Sequence, residues 1–202
     1  MSACRRCLVA CAALIFVSCS IGKPIPQATT YVVQPPMPAT RTAAAHRSGT
    51  LRIGNVRVAA PFAGNALVYR ANEVQFTADP YQAFLADPAA MLGSQLAAWL
   101  DRAGPFDGVA QPGSARTAPY VLEATFTELY GDFTPGKPAA AVMAVQFVLV
   151  DQSGARAKTL YEGTISRRVE LAQATPEALV RGYGQALSEI LEQFVSDLEV
   201  RS

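Results

Sequence analysis

Histidine and cysteine are nearly absent from most of this sequence. The 202 residues contain one histidine, His46, and all four cysteines lie within the first 19 positions. This composition excludes a disulfide framework and a thiolate metal site in the rest of the chain. His46 lies in a stretch rich in Pro, Ala and Thr, where a general base would lack positioned partners. We therefore expect no enzyme activity, no catalytic residue and no metal site.

An excess of one charge is also lacking, since 17 Lys and Arg residues face 16 Asp and Glu residues. Nucleic-acid binding needs a basic surface, so this balance predicts no nucleic-acid partner. Paired carboxylates could still catalyse hydrolysis. The acids Glu123, Glu128, Asp132 and Glu162 fall at expected strand surfaces or turns, where solvation is the preferred interpretation. A hydrolase that uses paired acids is therefore a disfavoured hypothesis.

Long hydrophobic runs are scarce, and the one near the start of the chain is short. CLVACAALIFVS, at residues 7–18, follows Arg5 and Arg6. It is shorter than the roughly 20 apolar residues that a membrane-spanning helix needs. Basic residues followed by a short apolar run are typical of an export signal, so we expect a signal peptide over residues 1–18.

The signal ends in a cysteine. FVSC, at residues 16–19, resembles the bacterial lipobox, which implies cleavage before Cys19, a thioether-linked diacylglycerol on its sulfur and an acyl chain on its new amino group. No other cofactor is expected. LVAC, which ends at Cys11, also matches but leaves little apolar sequence before it, and a plain signal peptide is the alternative. Ser20 in place of Asp implies, by the sorting rule of such lipoproteins, the periplasmic face of the bacterial outer membrane.

Proline-rich sequence follows the cysteine. Residues 19–48 contain repeated Pro, Thr and Ala and predict a lipid-anchored extended linker. Residues 49–202 then predict one periplasmic domain, since strand-like and helix-like patterns alternate there. Helices are expected after Asp87-Pro88 and after Thr175-Pro176, each a cap residue followed by proline. A phase change at Gly54-Asn55 predicts a β-bulge.

These elements predict the fold class. Strands, a helix, three strands in a meander and a final helix favour an α+β two-layer sandwich, with a mixed or antiparallel sheet and both main helices on one face. ALVYR and EVQFT, within residues 66–77, are typical of a hairpin. Trp99 and Tyr183 could line a lipid groove, but core packing is the preferred interpretation.

The predicted hairpin tip carries the candidate docking residues Tyr69, Arg70, Asn72 and Glu73. An exposed aromatic residue beside an arginine is a frequent anchor in protein interfaces. The alternative is an ordinary solvated hairpin without a partner.

Three local patterns resemble a known family. They are V-x-x-P at Val58–Pro61, LVYR at Leu67–Arg70 and Y-x-x-F-x-x-x-P at Tyr81–Pro88. Together with the lipobox leader they resemble the ABC-type transport auxiliary lipoproteins, over roughly residues 30–200. Relatives in that family include the lipoprotein of the paraquat-inducible system. Many relatives have Trp where this chain has Phe84.

The resemblance implies a non-catalytic accessory lipoprotein that is anchored in the outer membrane. Its expected partner is an Mce-domain protein of an ABC transporter that moves phospholipid or another hydrophobic molecule between membranes, and self-association into an oligomer is also expected. The alternative is a lipoprotein that itself binds a lipid or cell-wall ligand in a groove between sheet and helices.

Overall fold

The computed structural model describes residues 27–38, 46–110 and 114–200. In this part of the chain, an eight-stranded mixed sheet carries two α-helices. The elements in chain order are β1 (Thr29–Tyr31), β2 (Leu51–Val58), β3 (Ala66–Arg70), β4 (Phe76–Phe84), α1 (Pro88–Ala103), β5 (Val109–Ala110), β6 (Tyr120–Asp132), β7 (Ala140–Asp151), β8 (Lys158–Glu170) and α2 (Pro176–Val200).

Strand β6 is the centre of the sheet. One of its edges pairs with β7, which pairs in turn with β8, and both pairings are antiparallel. The other edge is shared, because β2 runs parallel to the first half of β6 and β3 runs parallel to its last residues. The sheet then continues from β3 through β4 to β1, which is an edge strand. The hairpin of β3 and β4 is therefore fixed to the end of the central strand.

Both helices begin where the sequence predicts. The Asp87 carboxylate accepts a hydrogen bond from the Ala90 backbone N–H at 2.9 Å, which caps α1 ahead of its first-turn proline. The Thr175 hydroxyl accepts a hydrogen bond from the Ala178 N–H at 3.2 Å and caps α2 in the same way. A short polar side chain followed by proline therefore marked both helix starts correctly.

Both helices pack on one face of the sheet. Helix α1 contacts β2, α2 contacts β7 and β8, and the two helices touch each other. The approach of α2 is close: a Cβ on Gly182 would lie 2.7 Å from the Ala141 Cβ of β7. Further along α2, the Phe194 and Phe147 ring centroids are 4.6 Å apart. The predicted α+β class with two main helices is confirmed.

Two predicted local features are also present, one of them longer than expected. The register between β2 and β6 shifts between Ile53 and Val56, which confirms the bulge at Gly54-Asn55. Strands β3 and β4 form the predicted hairpin, but β4 continues to Phe84. Proline at position 80 looks like a strand end in the sequence, whereas in the structure it lies at a register irregularity of β4.

Part of the segment that the sequence assigns to the linker packs against the domain. After β1, residues 33–38 run over the helices, and we call this segment the strap. Val33 is fully buried. The Ser188 hydroxyl of α2 donates a hydrogen bond to the Pro36 carbonyl at 3.1 Å, and Arg102 of α1 donates one to the Pro38 carbonyl at 2.7 Å. The chain is therefore fixed to the domain from β1 to Pro38.

Candidate docking surface and membrane anchor

Asn72 builds the turn at the tip of the hairpin. Its side-chain oxygen accepts hydrogen bonds from the backbone N–H groups of Val74 and Gln75, at 3.1 and 2.9 Å. Its side-chain nitrogen donates to the Gln75 side-chain oxygen at 3.0 Å. Asparagine commonly closes turns in this way. The predicted docking residue Asn72 is therefore exposed, but its polar atoms hold the loop in shape.

The loop presents one acidic and one apolar side chain to solvent. Glu73 is exposed, and Val74 is the most exposed large hydrophobic residue in the described part of the chain, at 89%. Phe76, the first residue of β4, is 43% exposed. We call Arg70, Asn72, Glu73, Val74 and Phe76 the tip surface. Exposed apolar side chains ringed by polar ones are typical of interaction sites.

Tyr69 lies elsewhere, which corrects the expectation that its ring is exposed at the tip. The ring stacks on Phe133 at a centroid distance of 5.0 Å, and its Cδ1 lies 3.2 Å from the place where a Cβ of Gly131 would be. That same place is 2.9 Å from Leu179 of α2, so Tyr69 is on the helix side of the sheet. Burial raises the pKa of the Tyr69 hydroxyl well above its usual range. Because side chains alternate along a strand, Arg70 lies on the helix-free face.

Arg70 belongs to an ion cluster with Asp132 and Arg168, in which the carboxylate is buried and both arginines are partly exposed. The Asp132 carboxylate is 1% exposed and binds both guanidinium groups, with Arg70 Nη2 at 2.6 Å. Thr134 donates a further hydrogen bond from its hydroxyl at 2.7 Å. Burial raises the pKa of Asp132, but the hydrogen bonds from Arg70, Thr134 and Arg168 outweigh burial and hold that pKa well below its usual range. The cluster carries one net positive charge beneath the hairpin tip.

An aromatic layer supports the cluster on the helix-free face. The Arg70 guanidinium carbon lies 5.1 Å from the Tyr130 ring centroid, within the range of a cation–π contact. Tyr130 stacks on Phe62 at 5.7 Å and meets Phe76 edge-on at 5.2 Å. The base of the tip surface is therefore held by ring packing and an ion pair together, as a preorganised docking site requires.

A concave surface lies between β2 and α1. It is a groove of about 830 Å³, lined by Ile53 and Val56 of β2 and by Gly93 and Ala97 of α1. Arg52 also lines it. Small side chains on the helix keep this space open. It corresponds in position to the groove between sheet and helices that the alternative hypothesis requires.

The described residues provide little chemistry beyond these features. None of their groups of His, Cys, Asp and Glu has three or more members placed to hold a metal ion. His46 Nε2 lies 2.7 Å from an Asp107 carboxylate oxygen, and the other oxygen accepts a hydrogen bond from the Gly49 N–H at 2.6 Å. These contacts join the start of the domain to the loop before β5. None of the described helices combines the length and apolar character that crossing a membrane would require.

The remaining sequence candidates lie in two places. Cys19 is outside the described residues, so its lipid stays a prediction. Trp99 and Tyr183 are fully buried in the core between helices and sheet, as the preferred interpretation held. Neither the Trp99 indole N–H nor the Tyr183 hydroxyl has a hydrogen-bond partner among the described residues.

Sequence reasoning missed three residues of the tip region: Val74, Phe76 and Asp132. Val74 and Phe76 had a usable signal, since apolar residues beside a turn are candidates for exposure. Asp132 had none. The sequence pattern places it among solvated acids, whereas its burial depends on arginines 62 positions before it and 36 positions after it.

Comparisons with known proteins give the family. The chain resembles a Xanthomonas campestris protein of family DUF330 at 16% identity and a TM-score of 0.70, covering 86% of this chain and 96% of that one. It resembles a second solved structure, of an uncharacterized protein, at 18% identity and a TM-score of 0.66, covering 85% and 99%. These likenesses show the fold. No curated protein matches significantly. The family model for the ABC-type transport auxiliary lipoprotein component matches residues 31–195, and the chain belongs to that family.

Proposed function

We propose that this protein is an outer-membrane-anchored accessory subunit of an Mce-type lipid transporter driven by an ABC ATPase. The observation that carries the proposal is the family match over residues 31–195. The cargo would be phospholipid or another hydrophobic molecule that passes between the membranes. The subunit would act by its position and its contacts, as a docking and assembly part of the transporter.

The anchor in this proposal is Cys19, carrying a diacylglycerol on sulfur and an acyl chain on nitrogen. Each buried methylene adds about 0.8 kcal/mol to membrane affinity, so three acyl chains hold a protein durably. Cell fractionation of Cys19→Ser tests this step. The substituted protein should leave the outer-membrane fraction, whereas unchanged fractionation would exclude the lipid anchor.

The docking contact in this proposal is the tip surface. The supporting observations are the exposure of Glu73, Val74 and Phe76 and the rigid base beneath them. Tyr69 has a different role here, bracing the hairpin from the helix side through its contact with Phe133. The expected partner is the Mce-domain protein, and self-association would be a further step of assembly.

Capture of the Mce-domain partner from detergent-solubilised envelopes tests the docking contact. Val74→Glu should lower capture by about tenfold, because interface centres tolerate a buried charge poorly. Val200→Glu is the matched control, since Val200 is nearly as exposed, at 86%, and ends α2. Equal capture by both variants would exclude the tip surface as the contact.

A second candidate function rests on the groove between β2 and α1. Its volume of about 830 Å³ lies in the range of ligand sites. In this alternative the domain itself binds a lipid or cell-wall fragment. Native mass spectrometry should then detect a bound molecule that is lost in Ala97→Phe, which fills the groove. A ligand-free domain in both forms would exclude a carrier role.

A further inference from the structure

Exposed apolar residues collect where the chain enters the fold. Tyr81 and Leu85 of the β4 edge region are 42% and 64% exposed, and Val32, directly after β1, is 39% exposed. The Leu85 N–H donates a hydrogen bond to the Tyr31 carbonyl at 2.8 Å, which brings Val32 beside Leu85. We call Val32, Tyr81 and Leu85 the edge patch.

The edge patch lies on the helix-free face of the sheet. Tyr31 faces the helices, because its hydroxyl oxygen lies 2.7 Å from the Gln82 side-chain oxygen and 2.9 Å from a carboxylate oxygen of Glu177 of α2. It pairs with Phe84, which is buried. Side chains alternate along a strand, so Tyr81, Leu85 and Val32 point to the opposite face. The patch therefore faces away from the helices and from the domain core.

The length of the chain between Cys19 and the first described residue limits the distance between a lipid anchor and this edge of the sheet. Gln27, the first described residue, lies eight positions after Cys19, and a chain of this length can span at most about 29 Å. An anchor chain that stayed free up to residue 48 could span about 100 Å. Because β1 pairs with β4, this short connection joins the anchor to the strand beside the edge patch.

We propose that the edge patch faces the bilayer and lies in its headgroup region. The proposal rests on the lipid anchor at Cys19, which is part of the proposed function. A reach of about 29 Å is comparable to the size of a small domain, so the β1–β4 edge stays close to the membrane surface. Tyrosine suits a membrane interface, since its ring is apolar and its hydroxyl is polar. The nearby Asp79 carboxylate is engaged locally, as it accepts hydrogen bonds from the Tyr81 and Gln82 N–H groups.

A single fluorescent label on the lipidated full-length protein tests the orientation. The mature chain would have no free thiol, because the leader cysteines are removed and the Cys19 sulfur is in a thioether. A cysteine introduced by Leu85→Cys or Tyr81→Cys is then the one labelling site. Ser153→Cys is the control, in an exposed turn next to β8 at the opposite edge of the sheet. The labelled proteins are bound to vesicles of phosphatidylethanolamine and phosphatidylglycerol that carry nitroxide-labelled acyl chains.

The expected result is a blue shift and nitroxide quenching of an NBD label at positions 81 and 85, with neither at position 153. Protein that floats with the vesicles but is unquenched at positions 81 and 85 overturns the orientation and leaves the anchor intact. A blue shift without quenching means that a second protein copy covers the patch, and this also overturns it. Protein that fails to float overturns the anchor and the orientation together.

Discussion

Asp132 and Arg70 bind each other at two points across neighbouring strands. Arg70 Nη2 donates to Asp132 Oδ2 at 2.6 Å, and Arg70 Nε donates to Oδ1 at 3.3 Å. The two residues are also register partners of β3 and β6. Since β3 and β6 share only two paired positions, this ion pair fixes the hairpin to the central strand and with it the tip surface.

Asp132→Asn should destabilise the fold by about 2 kcal/mol, because the buried carboxylate loses its charge-assisted hydrogen bonds to Arg70 and Arg168, whose partly exposed side chains stay hydrated. Urea unfolding followed by the fluorescence of Trp99, the single tryptophan, measures this change. Asp151→Asn is the control, since Asp151 is at the surface and an amide oxygen can still accept the Ser153 N–H. Equal stability of both variants would mean that the cluster contributes little.

The stability of the fold should fall in acid. The pKa of Asp132 is lower in the folded protein than its unfolded value of about 4. Its carboxylate therefore stabilises the fold above about pH 4, and this contribution is lost as the pH falls from there toward the folded pKa. Urea midpoints at about pH 7 and about pH 3 should differ more in the native sequence than in Asp132→Asn. Parallel pH profiles would contradict this assignment.

Gly184 is a sensitive test of the strap. A Cβ at this position would lie 2.5 Å from the Gln34 backbone oxygen, closer than real contacts allow. Gly184→Ala should therefore displace the strap or cost about 1–3 kcal/mol. Hydrogen exchange of a peptide covering residues 29–38 should become faster. In the control Gly64→Ala, where a Cβ would meet no atom within 4 Å, exchange should stay the same. Slow exchange in Gly184→Ala would show that the strap does not depend on this contact.

Removing the hydroxyl group should change the stability of the fold differently at two buried tyrosines. The Tyr183 hydroxyl has no hydrogen-bond partner among the described residues, so Tyr183→Phe should be neutral or stabilising by up to about 1 kcal/mol. The Tyr161 hydroxyl donates to an Asp197 carboxylate oxygen at 3.1 Å, and Tyr161→Phe should cost about 1 kcal/mol. Thermal unfolding of the two variants measures the contrast. A clear loss of stability in Tyr183→Phe would indicate a partner for its hydroxyl.

Local patterns predicted the parts of the fold that depend on neighbouring residues. The caps at Asp87 and Thr175 and the bulge at Gly54-Asn55 each need only a few adjacent side chains, and all were predicted. The division of β6 between β2 and β3 could not be predicted, because it depends on pairing between strands far apart in the sequence.

The strap and the ion cluster were missed for the same reason. Proline-rich sequence reads as a linker, yet the strap is held by Ser188, which is 152 positions from Pro36. Asp132 reads as a surface acid until the two arginines are placed around it. At the candidate site, the hairpin and its turn residue Asn72 could be predicted, but the direction of Tyr69 could not. That direction depends on which face of the sheet the helices cover.

Intact-mass analysis of the mature protein from bacterial outer membranes is the most direct test of the account. We predict a polypeptide that begins at Cys19 and carries a diacylglyceryl group and one further acyl chain. A mature chain that begins elsewhere, or a bare Cys19, would contradict an anchored subunit.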